Sequence, residues 1–429
     1  MASLADSHLA ELHQQASELG IPDFRKLRRD ELIKAIEERD GGEKPKRRRR
    51  RRSAGRERLS DESAGKPERN RDRDRELADE EAEPVEGVLE LTGGGHGFLR
   101  LSGLDAAEDD VYVSASQIRR CELRAGDEVA GPARAPRRGE RHRALVHVDK
   151  VNGAEPPSEP RPDLGDLTAM PPTRRLVLSV ERDDVLVRAA DLLVPLAFGQ
   201  RVLVSAAPHS GRTTLLRGIA KAVVAGGDAE VVVLLIDERP EEAAAWREAL
   251  PGAELAIATA EMAPAEQVRV ATLAGERGRR RAESGVDAVL ICDSLSRLAV
   301  AAGGTAEVKR LFGSGRELEG DGPGSLTVIA TTLSGLGDDG AAQQAVATTE
   351  NALITLDPDL AAAGVVPALR AGECRVSGEE ELREPDELEA VRRLRSLLAD
   401  LDPPEAANLL RERIEGSASN AELLSGLSE

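Results

Sequence analysis

The spacing of apolar positions changes along the chain, and each change marks a different kind of element. Leu4, Leu9, Leu12, Ala16 and Leu19 recur at helical spacing, Gly20-Ile21-Pro22 breaks the run, and Leu27, Leu32, Ile33 and Ile36 resume it. Residues 1–40 therefore read as a small helical unit. From 41 to 84 periodicity is lost, and KPKRRRRRR (44–52) and RNRDRDRE (69–76) predict a disordered, Arg-rich linker. Between 85 and 152, VEGVLEL, GFLRL, DVYVS, DEVAGPARA and RALVHVDKV are short β-like runs parted by Gly, Asp and Pro. Five such strands in so short a stretch predict a small barrel of the OB type. A Pro-rich linker over 153–166 follows. From 167 to 429 the apolar runs RVLVSA, VVVLLID, AVLICD, LTVIATT and ALITL alternate with Ala- and Arg-rich helical stretches. That alternation belongs to a mostly parallel sheet covered on both faces. The expected architecture is multidomain: helical unit, OB-type β-barrel, then an α/β domain.

Composition sharpens this picture. Aromatic residues make up 1% of the chain, so the core is built from Ala, Val, Leu and Ile, and each ring is informative. The net charge is −19, yet residues 44–75 hold 15 Lys/Arg against 6 Asp/Glu. Such asymmetry fits either a nucleic-acid arm or a solvated linker. Cys121, Cys292 and Cys374 lie far apart with no CxxC, which argues against a disulfide framework or zinc site. The start MASLADSHLAELHQQ lacks a basic and apolar leader, and no run of about 18 apolar residues occurs. A cytoplasmic protein without a membrane span is expected.

The sharpest chemical signal is RVLVSAAPHSGRTTLLRGIAKAV (201–223), an apolar strand running through a Pro/Ser/Gly loop into a helix. Backbone N–H groups in such a loop, with the helix N-terminus, cradle phosphate oxygens. Gly211 allows close approach and Thr213 offers a hydroxyl to Mg²⁺. Ala206 and Arg212 depart from the G-x-x-x-x-G-K-[ST] pattern, and an ordinary strand–turn–helix is the competing reading. VVVLLIDERPEE (231–242) and AVLICDSLSRLA (288–299) end two further strands with Glu238 and Asp293 at the edge where ligands bind in open α/β sheets. Asp293 suits a Mg²⁺-holding acid, and Glu238 can orient an attacking water. In the barrel region, His96, Phe98, Arg100 and Tyr112 combine rings and a cation, as single-stranded nucleic-acid sites do. A core Phe and a strand Tyr would be the plainer explanation.

Taken together, GFLR, DVYVSASQIRR, LRAGD, DLT (166–168), LLIDERPEE, DSLSRLA and GSLTVIATTL resemble the bacterial transcription termination factor Rho family. The resemblance runs from the first helices to LEAVRRLRSLLADLDPPEAANLL near the end. It implies a helical cap, an OB-type primary RNA site and a RecA-like motor that forms a homo-hexameric ring. The implied activity is that of an RNA-dependent ATPase and helicase using ATP and Mg²⁺ on nascent single-stranded RNA, with RNA polymerase as a direct or indirect partner. His96, Phe98, Arg100, Asp110, Tyr112, Glu140 and His142 then fall at RNA-contacting positions. The stretch Ala197, Phe198, Gly199, Gln200, Arg201 and Val202 falls at nucleotide-contacting positions. So do His209, Ser210, Gly211, Arg212, Thr213 and Thr214, together with Arg239. Glu238 matches the catalytic glutamate, and Thr213 and Asp293 match the metal-holding pair.

Against the family pattern, Arg212 and His209 stand where lysines are usual, and Val366 stands where a ring stacks on adenine. Within LRAGECRVSGEEEL (369–382), Arg375 is the candidate arginine finger. The segment LSRLAVAAGG leads almost directly to KRLFGSGREL, omitting a longer channel loop, and GLGDDGAAQQ (335–344) is acidic where that family carries a lysine. Three functions follow from these features: a working Rho motor; an ATPase-deficient RNA- and nucleotide-binding paralogue acting as regulator or mixed-ring subunit; and a non-enzymatic nucleic-acid tether.

Overall fold

The computed structural model describes residues 82–428, except 179, 321 and 335–339. The expected helical unit, the arginine run and the acid-bearing part of GLGDDGAAQQ lie outside the described residues. Six strands build the small barrel: β1 (Glu83–Leu91), β2 (Gly97–Arg100), β3 (Val111–Val113), β4 (Glu128–Arg134), β5 (Arg143–Leu145) and β6 (Lys150–Val151). Their order is β1-β2-β3-β5-β4-β6, and a β1–β4 pairing closes the sheet on itself. Alternation sends Leu89, Leu99, Val111, Val113, Val129 and Leu145 into one apolar core. Two details differ from the sequence expectation. RALVHVDKV forms two strands instead of one, because residues 146–149 bulge: both halves run antiparallel along β4, yet Leu145 faces Ala133 and Lys150 faces Ala130. A short helix α1 (Ala115–Arg120) also follows β3, started by a reciprocal Ser114–Gln117 capping box.

β1 begins at Glu83, inside the expected linker over 41–84. The Pro-rich linker expected over 153–166 is anchored near its C-terminal end. Arg161 donates to Asp127 (2.6 and 2.9 Å), and the Leu164 N–H donates to Glu283 (2.8 Å) while its side chain is buried.

Beyond β7 (Ala169–Met170) and helix α2 (Val185–Leu193), the larger domain is laid out in alternation. Its first half comprises β8 (Arg201–Ala206), α3 (Arg212–Gly226), β9 (Glu230–Glu238), α4 (Pro240–Ala249), β10 (Glu254–Thr259), α5 (Pro264–Glu283) and β11 (Ala288–Asp293). Helices α6 (Leu295–Ala302) and α7 (Ala306–Phe312) then lead to β12 (Glu317–Leu318), β13 (Leu326–Leu333), α8 (Gly340–Val346) and β14 (Ala352–Thr355). The seven-stranded sheet has the order β10-β9-β11-β13-β8-β14-β15, all pairs parallel except the edge pair of β14 with β15 (Arg375–Val376). The central strands are apolar on both faces because each face is covered. One core includes α2 and α3, and the other includes α5, α6 and α7. The C-terminal helices α9 (Pro385–Ala399), α10 (Pro403–Glu415) and α11 (Asn420–Ser428) add Leu394, Leu410, Ile414 and Leu423 to the first core. Only Gly303, Gly304 and Thr305 separate α6 from α7, so no long loop projects there.

Candidate nucleotide cleft and RNA face

Parallel strands bring the chemistry-bearing residues to one edge. β8, β9, β11 and β13 all end there, and a cleft of about 500 Å³ lies beside the loop after β8. Ala207, His209, Gly211, Arg212, Thr213 and Thr214 line one side; Glu238, Arg239, Glu242, Arg297 and Leu333 line the other. Gly211 caps α3 at φ 89°, a conformation that favours glycine, and no side chain caps the helix. The first-turn N–H groups of α3 are thereby left for a ligand at a positive helix end.

A bulge in β9 positions the glutamate. Asp237 adopts φ 53°, the register with β10 shifts there, and Glu238 turns inward to 4% exposure while Asp237 stays exposed. Both Glu238 oxygens are engaged: Oε1 accepts the Arg239 N–H (3.0 Å) and Oε2 accepts Arg297 Nη1 (2.7 Å). Asp293, at the end of β11, is wholly buried. Burial holds its carboxyl above the usual range, and the Arg212 and Arg297 guanidiniums offset only part of that rise. Arg212 Nε donates to it at 3.1 Å and Thr331 Oγ1 at 3.0 Å. Arg239 is 68% exposed, with Glu238 and Glu241 at the far limit of ion pairing.

Sequence reasoning missed Arg297, whose signal was its place four residues after Asp293, one helical turn beyond the strand end. Thr213 and Asp293 are the oxygens that would hold Mg²⁺. A hard divalent ion needs carboxylate and water oxygens in open octahedral reach, and Asp293 is enclosed with a guanidinium already against it. With Arg212 in this position the pair does not fit a divalent ion.

Several expected nucleotide residues lie elsewhere. Ala197–Val202 sits at the start of β8, and that strand of six residues puts it about 20 Å from the phosphate loop at about 3.3 Å per residue. Internal ties account for the stretch: Gln200 Oε1 accepts the Ala197 N–H (2.9 Å), and Arg201 donates to the Gly315 carbonyl (2.8 Å). Gly199 is left-handed, and a Cβ there would collide with the Glu317 backbone. Ser210 is buried and donates to the Ala207 carbonyl (2.7 Å), which holds the loop shut. Val366 follows β14 at the same sheet end but outside the cleft lining, half exposed. Arg375 lies on the edge strand β15, largely exposed and paired to Glu350 (2.9 Å), away from its own chain's cleft.

On the barrel the rings do meet. Phe98 and Tyr112 are direct partners across β2 and β3, with centroids 5.9 Å apart. His96 lies 5.4 Å from Tyr112, and His142 lies 5.1 Å from Phe98. All four side chains are partly exposed. The expected phosphate cation is not among them. Arg100 is buried between Glu90 and Asp110, so these two, expected at RNA-contacting positions, spend their charges on each other and on Glu90 instead of presenting them to solvent. Together they form the floor beneath the rings, and Arg269 of α5 reaches the same Glu90 (2.8 Å). Glu140 is likewise engaged, accepting Arg134 (2.7 and 3.0 Å) and the Arg137 N–H, which brings its carboxyl down to about 2. Its loop carries Arg138 and Arg141, both exposed, a cationic edge beside His142 that the run RAPRRGERHR already displayed.

The Rho termination factor RNA-binding domain family matches residues 85–157, and the Rho termination factor N-terminal domain family matches residues 3–40. Residues 187–314 match the nucleotide-binding domain of the ATP synthase alpha/beta family. Transcription termination factor Rho of Rhodopirellula baltica is 36% identical over 365 residues, covering 79% of this chain and 71% of that protein. The chain belongs to the Rho family. The Rho of Chromobacterium violaceum is 37% identical over 361 residues, covering 78% of this chain and 86% of its own. That of Bacillus subtilis is 34% identical over 367 residues, covering 80% and 85%. A solved ATPase from the type III secretion system of pathogenic bacteria shares the fold, with a TM-score of 0.50 and 20% identity over 66% of this chain and 94% of that one. The Rho-type architecture expected from the sequence, an OB-type barrel followed by a RecA-like nucleotide-binding domain, is therefore established. No helix among the described residues is long and apolar enough to cross a membrane.

Proposed function

We propose that this chain is a transcription termination factor of the Rho type. It takes nascent single-stranded RNA on the ring face of the barrel and adenine nucleotide in the cleft beside the 207–211 loop. It works as a hexameric ring whose movement releases the transcript from RNA polymerase. The observation that carries this reading is the continuous ion network Asp110–Arg100–Glu90–Arg269, which ties the floor of the ring cluster to α5 of the nucleotide-binding domain. Bases stack on Phe98, Tyr112, His96 and His142, and Arg138 and Arg141 meet phosphate. Glu238 orients the attacking water once Arg297 releases it, and Arg375 serves a neighbouring subunit.

A second reading, binding without turnover, follows if the Glu238–Arg297 and Asp293–Arg212 pairs persist when nucleotide is bound. ATP hydrolysis by the purified protein, with and without C-rich single-stranded RNA, separates the two. RNA-stimulated turnover supports the motor. Binding of both ligands with no turnover supports the regulator or mixed-ring subunit. Failure to bind RNA removes both.

A further inference from the structure

The Arg212–Asp293 contact has a consequence for what the cleft holds. Arg212 opens α3 from the phosphate loop, and its side chain is 12% exposed, laid across the cleft floor onto the end of β11. Its Nε is engaged by Asp293. No other donor of Arg212 makes a hydrogen bond among the described residues, so the Nη1/Nη2 fork is left for an acceptor that offers two oxygens, as phosphate does. A lysine at this position would bring one compact charge; the guanidinium can face a carboxylate with one edge and a phosphate with another.

We propose that this cleft binds the polyphosphate of a nucleotide without a divalent ion, the Arg212 guanidinium bridging buried Asp293 to the phosphate oxygens. The inference rests on the nucleotide reading of the cleft and concerns the form in which the nucleotide is taken. Three features carry it. Asp293 has no exposed surface and is already bonded by Arg212 and Thr331, so no ion-bound water reaches it without breaking a buried pair. The positive charge the ion would supply is present in Arg212, with Arg239 exposed on the opposite wall. The loop N–H groups of the α3 N-terminus act on phosphate irrespective of metal.

The test is calorimetric titration of the full-length protein with ADP, in EDTA and again in excess MgCl₂. The expected apparent affinity is at least as tight in EDTA as in MgCl₂, because excess Mg²⁺ withdraws ADP as its own complex from a site that takes the nucleotide without the ion. A tenfold or greater loss of affinity in EDTA overturns the proposal while leaving the nucleotide site intact. Absence of ADP binding in both buffers overturns the nucleotide reading itself. A second readout needs no variant: in Mn²⁺ with ADP, adding protein should raise the electron paramagnetic resonance signal of free Mn²⁺, as ADP is drawn from its complex, and protein-dependent depletion of that signal overturns the idea. Arg212→Lys should then acquire a Mg²⁺ dependence of about tenfold or more, since a lysine leaves Asp293 open to an ion's water shell. A lysine variant that binds ADP equally in both buffers would show that Arg212 is not the cause, and the proposal would fall.

Discussion

The RNA face and the nucleotide cleft use the same ingredients, arginines and carboxylates, in opposite ways. On the barrel the ions pair with one another below the surface, and the groups meant for the ligand, four rings, stay on top. In the cleft the groups meant for the ligand are themselves the paired ones: Glu238 with Arg297, Asp293 with Arg212. A floor of satisfied charges leaves recognition intact, whereas satisfied recognition groups must first be released. The ring face is therefore open to a ligand as it stands, while Glu238 can meet a water only after Arg297 leaves it.

The largest effect should come from removing the barrel's floor. Arg100→Met leaves Asp110 and Glu90 buried without their common guanidinium, and breaking a buried pair in this way costs about 3–5 kcal/mol. Urea unfolding followed by circular dichroism measures it. An unchanged midpoint would mean that the network is not what supports the rings, and the contrast between the two sites would lose one side.

Next in size is the loss of a stacking surface. Phe98→Ala should weaken C-rich RNA binding by about 1–3 kcal/mol, the range for one base–aromatic stack. Phe98 is only partly buried, so stability should fall by less than in the Arg100 variant. Filter binding gives the affinity, and ADP titration of the same variant should be unchanged. Equal RNA affinity would reduce the ring cluster to a packing feature; a parallel loss of ADP binding would mean the two sites are not separable.

Much of this was legible in the sequence. The parallel strands were, because each is an uninterrupted apolar run between turn residues. ELAIAT (254–259) was not, since four of its six residues are too small or too polar to distinguish it from a helix or loop, and its place is set by pairing with β9. Asp293, Glu238 and Arg212 could be read as strand-end and loop positions. Their partners could not: whether a guanidinium turns to phosphate or to carboxylate depends on the distance from α3 to the end of β11, a tertiary quantity. Arg100 illustrates the same limit. Alternation puts it on the face of Phe98, yet the carboxylates of Glu90 and Asp110 enclose it. Ala197–Val202 looked continuous with the phosphate loop along the chain, but a strand between two segments separates them in space.

The smallest effect concerns the joint between the two regions. Arg277 of α5, with a fully buried side chain, bonds Glu254 (2.6 and 2.8 Å) and also Glu128 of the barrel; Arg281 joins both acids at 3.0 and 3.1 Å. Burial alone would raise the Glu254 carboxyl, but the Arg277 hydrogen bond and charge outweigh it, and the result lies below the ordinary glutamate value. Glu128 shifts the same way, with burial again the largest opposing influence and Arg277 the main lowering one. A lowered folded-state value means the joint contributes its full stability above the unfolded glutamate range and loses it as pH falls through the folded value. Acidification from pH 7 to about 4 should therefore loosen the joint by on the order of 1 kcal/mol. Unfolding midpoints across that window measure it, and Glu254→Gln should flatten the dependence. A Gln variant with the parent's full pH slope would place the acid sensitivity elsewhere, and the two sites would then be joined by packing and not by charge.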